Sequence, residues 1–275
     1  MEKAVNGTSQ LKKSEFMEKL KDRLMPFIGI FGFLLLWELA VIVFDIKSYL
    51  LPRPTMIVQE VIVRFDSLMS HGATTAYETL LGYGLAIAIA VPLAIGITSS
   101  SAFDRFIMPI LLFFQVVPKI AIAPLFLIWF GFGTMPKVMV AFLISFFPIV
   151  IDTAVGLRSI SSEMIDLARS MGATKSQIFL RFRLPTSLPY LFSGLKVAAT
   201  LAVVGAVVGE FVGADRGLGY LLLVSNSNLN TALTFATIVV LTAQGLFLFY
   251  VIEILERFMI PWHVSRRTTP EHATM

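Results

Sequence analysis

The chain has 275 residues, of which 56% are hydrophobic and 15% are charged, and its mean hydropathy is +0.81. An ordinary soluble domain is about 45–50% apolar and about 25% charged, so this composition indicates an integral membrane protein. The absence of cysteine excludes disulfides, thiolate metal sites and cysteine nucleophiles, and the modest net charge of +4 gives no nucleic-acid-binding surface.

Six apolar stretches, each close to the 20 residues or so that a transmembrane helix needs, predict six spans and an all-α membrane fold. They run over residues 25–44, 77–98, 106–130, 138–155, 188–212 and 232–255. Fifteen of the 22 lysines and arginines fall on the side of the N-terminus, and five fall on the other side. The positive-inside rule therefore predicts that both termini lie in the cytoplasm, an N-in/C-in topology.

This pattern predicts three regions: an amphipathic cytoplasmic segment at 1–24, a membrane domain at 25–260 with a cytoplasmic loop at 156–187, and a cytoplasmic tail at 261–275. Phe16, Leu20 and Leu24 recur at every fourth position, which is typical of a helix lying on the inner membrane surface. A frayed tail is the alternative for this segment. No small-x-small cleavage site follows the first apolar run, so we expect a retained span and not a cleaved signal.

Small residues recur at every fourth position in the second and fifth predicted spans. They are Gly82, Ala86, Ala90 and Ala94 in one span and Gly194, Ala198, Ala202 and Ala206 in the other. Small side chains let helix backbones approach closely where lipid gives no hydrophobic drive for association. Each ridge therefore predicts either packing within the chain or a contact between two copies.

The loop at 156–187 is too polar to span a membrane, and its pattern predicts two short helices. One face of the first helix is apolar at i, i+3, i+4 and i+7: Met164, Leu167, Ala168 and Met171. Ser161 or Ser162 can cap its start, and Gly172 suits the left-handed position after its end. Thr174 and Gln177 have the spacing of a capping box that begins the second helix.

The second helix carries Ile178, Phe179 and Phe182, and we expect Pro185 to end it. Two short helices joined by a glycine bend can fill a groove on a partner protein. The alternative is a helix pair lying on the bilayer surface.

The same loop resembles a known family. The loop contains, in order, Asp166-Leu-Ala168, three residues, Gly172, nine residues and Phe182-Arg-Leu-Pro185. This pattern is similar to the Glu-Ala-Ala…Gly…Ile-x-Leu-Pro loop of ABC importer permeases. Asp replaces Glu, Leu replaces the first Ala, and Phe replaces Ile. Further segments resemble, in order, the nitrate, sulfonate, taurine and bicarbonate permeases: Leu51-Pro-Arg-Pro54, Pro118-Lys-Ile-Ala-Ile-Ala-Pro124, Trp129-Phe-Gly-Phe-Gly133, Phe147-Pro148, Gly209-Glu-Phe-Val-Gly213 and Gly217-Leu-Gly219.

The resemblance implies a multi-pass permease subunit in the cell inner membrane that moves a small solute by alternating access. The solute would be an anion such as nitrate, bicarbonate or a sulfonate. The implied partners, besides lipid, are a second copy of the permease, two ATPase subunits that bind ATP and Mg, and an extracytoplasmic solute-binding protein. The residues implied to form the ATPase-coupling segment are Glu163, Asp166, Ala168, Gly172, Ala173, Leu184 and Pro185.

The sequence gives no motif for chemistry within this chain, so we expect a transport subunit and not an enzyme. The nearest likeness to a phosphate loop, residues 168–176, has Ala168 and Thr174 where glycines are required. The three histidines are far apart and lack metal-site spacing. We therefore expect no catalytic residue, cofactor or metal site, with ATP hydrolysed by another chain.

Lys119 and Gln115 are candidate residues of the translocation pathway. A charge inside a span costs on the order of 3 kcal/mol, so it requires a partner or a function. A proline precedes Lys119 and another follows five residues later, and we expect them to distort the helix and free backbone carbonyls. Both side chains can offer donors to an anion. The alternative is that Lys119 pairs within the bundle with Asp152 or Glu78.

Glu210, near the outer end of the fifth span, is the third candidate pathway residue. A carboxylate there can belong to an outer gate or to a structural salt bridge. Lys196 lies nearer the inner end, where its long side chain can reach the membrane interface, and we expect a structural role.

Two other classes of protein stay open as alternatives. An ion-coupled secondary transporter would need no ATPase. An intramembrane enzyme would need a convergent catalytic pair, for which Asp152 and Glu78 are the candidates.

Overall fold

The computed structural model describes residues 24–25 and 28–262 of the chain. The predicted amphipathic segment, apart from Leu24, and the residues from 263 on lie outside this part. All regular structure in the described residues is helical, in accordance with the predicted all-α membrane fold. The helices are α1 Ile28–Val43, α2 Pro54–Val63, α3 Phe65–Ser99, α4 Ser101–Val116, α5 Lys119–Phe130, α6 Thr134–Arg158, α7 Ser162–Ser170, α8 Lys175–Ile178, α9 Leu184–Gly213, α10 Leu218–Ser227 and α11 Thr231–Met259.

The chain forms two compact units. The first contains α1, α2 and Ser225–Ala236, and the second contains Asp66–Val224 with the residues from Thr237 on. In the first unit, Glu38 of α1 accepts hydrogen bonds from the backbone amide and the hydroxyl of Thr55, at 3.1 Å and 2.8 Å. A carboxylate at these positions satisfies the free amides of the first turn of α2. Glu38 therefore fixes the start of α2.

Among the described residues, four helices are long and apolar enough to cross a membrane: α3, α6, the continuous run Lys175–Gly213 that contains α9, and α11. A fifth candidate is the bent pair α4 and α5. As described over Ile28–Val43, α1 is shorter than the 20 residues or so that a span needs. The count of six spans and the N-in/C-in orientation stay predictions.

The third predicted span is not one straight helix, because α4 and α5 meet at 96°. Val117 has extended backbone angles (φ −60°, ψ 130°), and Pro118 caps α5. Proline lacks an amide hydrogen and disfavours helical geometry in the residue before it, so the helix ends at Val116 and restarts at Lys119. The expected distortion is confirmed at Pro118, and a span over 106–130, broken at this point, stays a prediction.

The core of the second unit forms where α6 packs along α9 at glycine positions. A Cβ on Gly205 would lie 2.6 Å from the Cα of Ala141, and one on Gly209 would lie 2.7 Å from the Cα of Lys137. The two backbones therefore approach more closely than any other residue would allow.

Both small-residue ridges are buried by the chain itself. In α3, Ala86, Ala90 and Ala94 are each 0% exposed, and Gly82 is also buried. Ala198, Ala202 and Ala206 of α9 are likewise 0% exposed. Packing within the chain is confirmed, and the alternative of a contact between two copies is wrong for these two faces.

Candidate coupling segment and buried charge network

The first helix of the candidate coupling segment, α7, begins at a serine cap. Ser161 has an extended backbone, and its hydroxyl accepts the Met164 amide at 3.4 Å. Glu163 lies in the first turn, where a negative charge suits the helix dipole. Hydrogen bonds from its own backbone amide and from Ser161 lower the pKa of the Glu163 carboxyl below its ordinary value. Of the two predicted caps, Ser161 is the one used.

The bend after α7 is a Schellman motif centred on Gly172. Gly172 has a φ of +81°. Its amide donates to the backbone carbonyl of Arg169 at 2.9 Å, and the Ala173 amide donates to the backbone carbonyl of Ala168 at 3.0 Å. These two bonds satisfy carbonyls that the helix end leaves free. The predicted left-handed glycine is confirmed, and nothing lies within 4 Å of the position that a Cβ on Gly172 would take.

The predicted capping box is also present, at the start of α8. The Thr174 hydroxyl accepts the Gln177 amide at 3.3 Å, and the Gln177 side chain accepts the Thr174 amide at 2.8 Å. The free amides at the start of α8 are therefore satisfied within the segment. Both ends of the glycine bend are held by local hydrogen bonds.

Pro185 does not end the second helix, so that expectation is wrong. Residues Phe179–Arg183 form a π-helical turn that leads directly into α9, with Pro185 in its first turn. The wider turn accommodates a residue that has no amide hydrogen. Thr186 donates its hydroxyl to the Phe182 carbonyl at 2.8 Å, which satisfies an acceptor at this point. Leu184 and Pro185, both half-buried, thus join the coupling segment to a continuous transmembrane helix.

The surface of α7 carries an exposed apolar face, which we define as Met164, Leu167 and Met171. These side chains are 46%, 57% and 79% exposed. Ala168, the fourth residue of the predicted face, is buried. Asp166 pairs with Arg169 at 3.2 Å, and because both side chains are exposed the pair contributes little to stability.

Among the candidate pathway residues, Lys119 and Gln115 lie at the break between α4 and α5. The Lys119 ammonium donates to the backbone carbonyl of Gln115 at 2.8 Å and lies 4.8 Å from the centroid of the Phe147 ring. The Gln115 side chain is exposed. The alternative, in which Lys119 pairs with Asp152 or Glu78, is wrong, because the carbonyl freed by the break holds the ammonium instead.

Glu78 pairs with Lys137, which lies just before the fourth predicted span at 138–155. The two side chains are 3.0 Å apart and are 1% and 6% exposed. Lys137 lies in the first turn of α6, which begins four residues before the predicted span. A carboxylate inside an apolar span requires a partner, and this requirement is the sequence signal that points to a nearby lysine.

Glu210, the third candidate, is also buried and has defined partners. Its carboxylate accepts the Thr75 hydroxyl at 2.6 Å, the Tyr220 amide at 3.3 Å and the Gly219 amide. It therefore caps the first turn of α10. The structure therefore joins α3, α9 and α10 through Glu210, and it joins α3 and α6 through the pair of Glu78 and Lys137. Lys119 and Gln115 have other neighbours.

The half-buried charges of α6 and α9 also have defined neighbours. Lys196 pairs with Glu256 of α11 at 2.7 Å, as expected for a structural role. Asp152 lies against Gly194, whereas Glu78 lies against Lys137, so these two carboxylates do not form the convergent pair of an intramembrane enzyme. In the part of the chain that the structure describes, no group of three metal-ligating side chains is present.

Several characterised proteins are similar to this chain over most of its length. The formylaminopyrimidine transport permease ThiX of Halalkalibacterium halodurans is 35% identical over 247 residues, which cover 90% of this chain and 98% of that protein. The riboflavin transport permease RibX of Chloroflexus aurantiacus is 35% identical, covering 84% and 87%. The taurine transport permease TauC of Escherichia coli is 28% identical, covering 72% of each chain.

The fold is similar to that of a solved transporter. A chain of the inward-facing MetNI methionine ABC transporter superposes with a TM-score of 0.61 at 20% identity, covering 72% of this chain and 97% of that one. The profile of the family described as binding-protein-dependent transport system inner membrane component matches residues 82–261. The chain therefore belongs to this family, and it is a multi-pass ABC transporter permease of the inner membrane.

Proposed function

We propose that this permease is the membrane-spanning subunit of an ATP-driven importer in which separate ATPase chains hydrolyse ATP. In the assembly, two copies of the permease would enclose the pathway, two ATPase subunits would dock from the cytoplasm, and an extracytoplasmic binding protein would deliver the solute. The observation that carries the proposal is the α7–α8 segment, which has an exposed apolar face and a shape fixed by its own hydrogen bonds.

Docking would bury the apolar face of α7 in a groove of the ATPase. Met164, Leu167 and Met171 together offer three flexible or branched apolar side chains that solvent would otherwise hydrate. Because the Schellman motif and the capping box satisfy the segment internally, docking would order few additional groups. Movement of the ATPases would then pass through the π-helical turn into α9 and drive alternating access.

The solute is proposed to be a small organic molecule that contains a nitrogen heterocycle. The two named relatives at 35% identity transport formylaminopyrimidine and riboflavin, whereas those named for sulfonates or taurine are 26–28% identical. The expectation of a small anion rested on Lys119, whose ammonium already contacts a carbonyl and a ring face. Nitrate, bicarbonate and sulfonates are therefore the comparison solutes in the test.

The coupling proposal is tested by substituting Gly172. Because the surrounding space is open within the chain, Gly172→Arg would meet its obstacle in the ATPase groove, and we expect the ATPase to be lost on copurification while membrane insertion persists. The matched control is Gly172→Asn, since asparagine tolerates a positive φ and is shorter. Normal copurification of the ATPase with the arginine variant would refute docking at this bend.

Transport is tested in proteoliposomes that hold the permease, its ATPase and its binding protein. We expect uptake of the solute that the binding protein retains, and we expect it to stop on ATP depletion with the ion gradients held. Uptake that persists would favour an ion-coupled secondary transporter. Binding assays with pyrimidines, flavins, taurine and nitrate on the purified binding protein separate the heterocycle proposal from the anion proposal.

A further inference from the structure

The first turn of α10 rests on a buried carboxylate, and this contact lies at the end of α9 remote from the coupling segment. Glu210 is 1% exposed and accepts the amides of Gly219 and Tyr220. About 26 residues of helix, or about 39 Å at 1.5 Å per residue, separate Leu184 from Glu210. The charge distribution predicts this remote end to be the outer one.

Residues of α3 hold the same turn from the other side. The Leu218 amide donates to the Thr75 hydroxyl at 2.8 Å, and that hydroxyl donates to Glu210. The Gly217 amide donates to Nδ1 of His71 at 3.0 Å. Four consecutive amides at the start of α10, from Gly217 to Tyr220, are thus bound by side chains of α3 and α9.

The glycines in this turn allow the α10 backbone to approach the Glu210 carboxylate closely. Gly217 has a φ of +117°, and a Cβ there would collide with the Glu210 carboxyl carbon. A Cβ on Gly219 would lie 2.8 Å from a Glu210 oxygen. Any side chain at Gly217 would therefore displace either α10 or the Glu210 carboxylate and break the contact between them.

The buried charge of Glu210 makes its contact with the first turn of α10 a switch between two states. Lys137 compensates Glu78, whereas Glu210 has only hydrogen-bond donors to compensate it, and two of these are amides of α10. If α10 leaves, a buried carboxylate loses these donors and water must enter to replace them. The first turn of α10 is therefore either bound to Glu210, with water excluded from the carboxylate, or displaced from Glu210, with the carboxylate hydrated.

We propose that Glu210 and Thr75 form a latch for the first turn of α10, and that α10 is a gate at this end of the translocation pathway. The gate part of this inference rests on the proposed function, whereas the latch part concerns this chain alone. Closing corresponds to the seated turn seen here, and opening corresponds to withdrawal of the turn about Gly217.

The test uses the absence of natural cysteines. A single cysteine replaces Leu221, a buried residue of α10, and its rate of reaction with a maleimide is measured in membranes permeabilised on both sides. We expect Gly217→Ala to raise the rate about tenfold or more, and Glu210→Gln to raise it by a smaller factor, as hydrogen bonds to a charged group are lost.

Three controls separate a latch from general loosening. Gly84→Ala adds a methyl group in open space, and Glu256→Gln breaks the ion pair with Lys196; neither change should alter labelling at position 221. A cysteine replacing Leu248 reports on the core and should keep its rate in every background. Equal rates at position 221 with and without Gly217→Ala, or equal acceleration at both cysteine positions, would overturn the latch.

The gate is tested separately, in proteoliposomes with the ATPase and the binding protein. We expect Gly217→Ala to increase the ATP hydrolysed per solute transported, because an unlatched end lets solute return. An unchanged ratio, with labelling at position 221 accelerated, would overturn the gate. Absence of ATP-driven uptake by the unmodified chain would instead overturn the proposed function, and the labelling rates would still decide the latch.

Discussion

Replacing Lys137 with methionine would leave the Glu78 carboxylate buried without its counter-charge. The two side chains are 6% and 1% exposed, and their charged atoms are 3.0 Å apart. At an effective dielectric constant of about 20, two unit charges at this distance attract by about 5–6 kcal/mol. Removing one partner of a buried pair costs about 3–5 kcal/mol of stability, because the remaining charge has no compensation.

A double-mutant cycle measures this directly. We expect Lys137→Met to lower the free energy of unfolding of the purified chain in detergent micelles by about 3–5 kcal/mol. The double variant Glu78→Gln with Lys137→Met should be more stable than Lys137→Met alone, because it removes the buried charge. The exposed pair Asp166 and Arg169 is the control, with an expected coupling of about 0.2–1 kcal/mol. Additive effects at the buried pair would refute the reasoning.

Three further predictions concern packing and helix caps. Gly205→Ala should lower the free energy of unfolding by about 1–3 kcal/mol, because its methyl group would overlap Ala141. Gly84→Ala, which adds a methyl group in open space, should have little effect. Equal effects of the two substitutions would contradict the close approach of α6 and α9. Thr174→Ala should cost about 1 kcal/mol of local stability, seen as faster amide hydrogen exchange confined to α8. The Glu163 carboxylate stabilises α7 at pH values above its ordinary pKa, and this contribution should be lost as the pH falls through its lowered pKa. Amide hydrogen exchange in α7 should therefore accelerate in that pH range. The variant Glu163→Gln should show no such acceleration.

The local features of the coupling segment were predictable because they depend on residues a few positions apart. The Gly172 bend and the Thr174–Gln177 capping box both form within one turn of the residues that specify them. The long apolar runs of α3, α6, α9 and α11 were equally clear, since a run of 20 residues or so leaves few alternatives to a span.

The long-range pairings were not predictable from the same patterns. Lys137 lies outside the predicted span at 138–155, because nothing in its neighbourhood in sequence indicates that α6 begins at Thr134 and that Lys137 faces Glu78. Similarly, the role of Glu210 depends on Thr75, which is 135 positions away. Pro185 was assigned the wrong effect because a π-helical turn can absorb a proline that would otherwise end a helix.

The uninterrupted helix from Lys175 to Gly213 has a mechanical consequence. Its 39 residues would extend over about 58 Å if straight, with the Gly172 bend beside one tip and the Glu210 carboxylate near the other. A rod of this length that pivots by about 5° at one tip displaces the other by about 5 Å, which exceeds the reach of any hydrogen bond. A small rocking of the helix at the tip near Gly172 would therefore be enough to break contacts at the opposite tip, with no change in the helix itself.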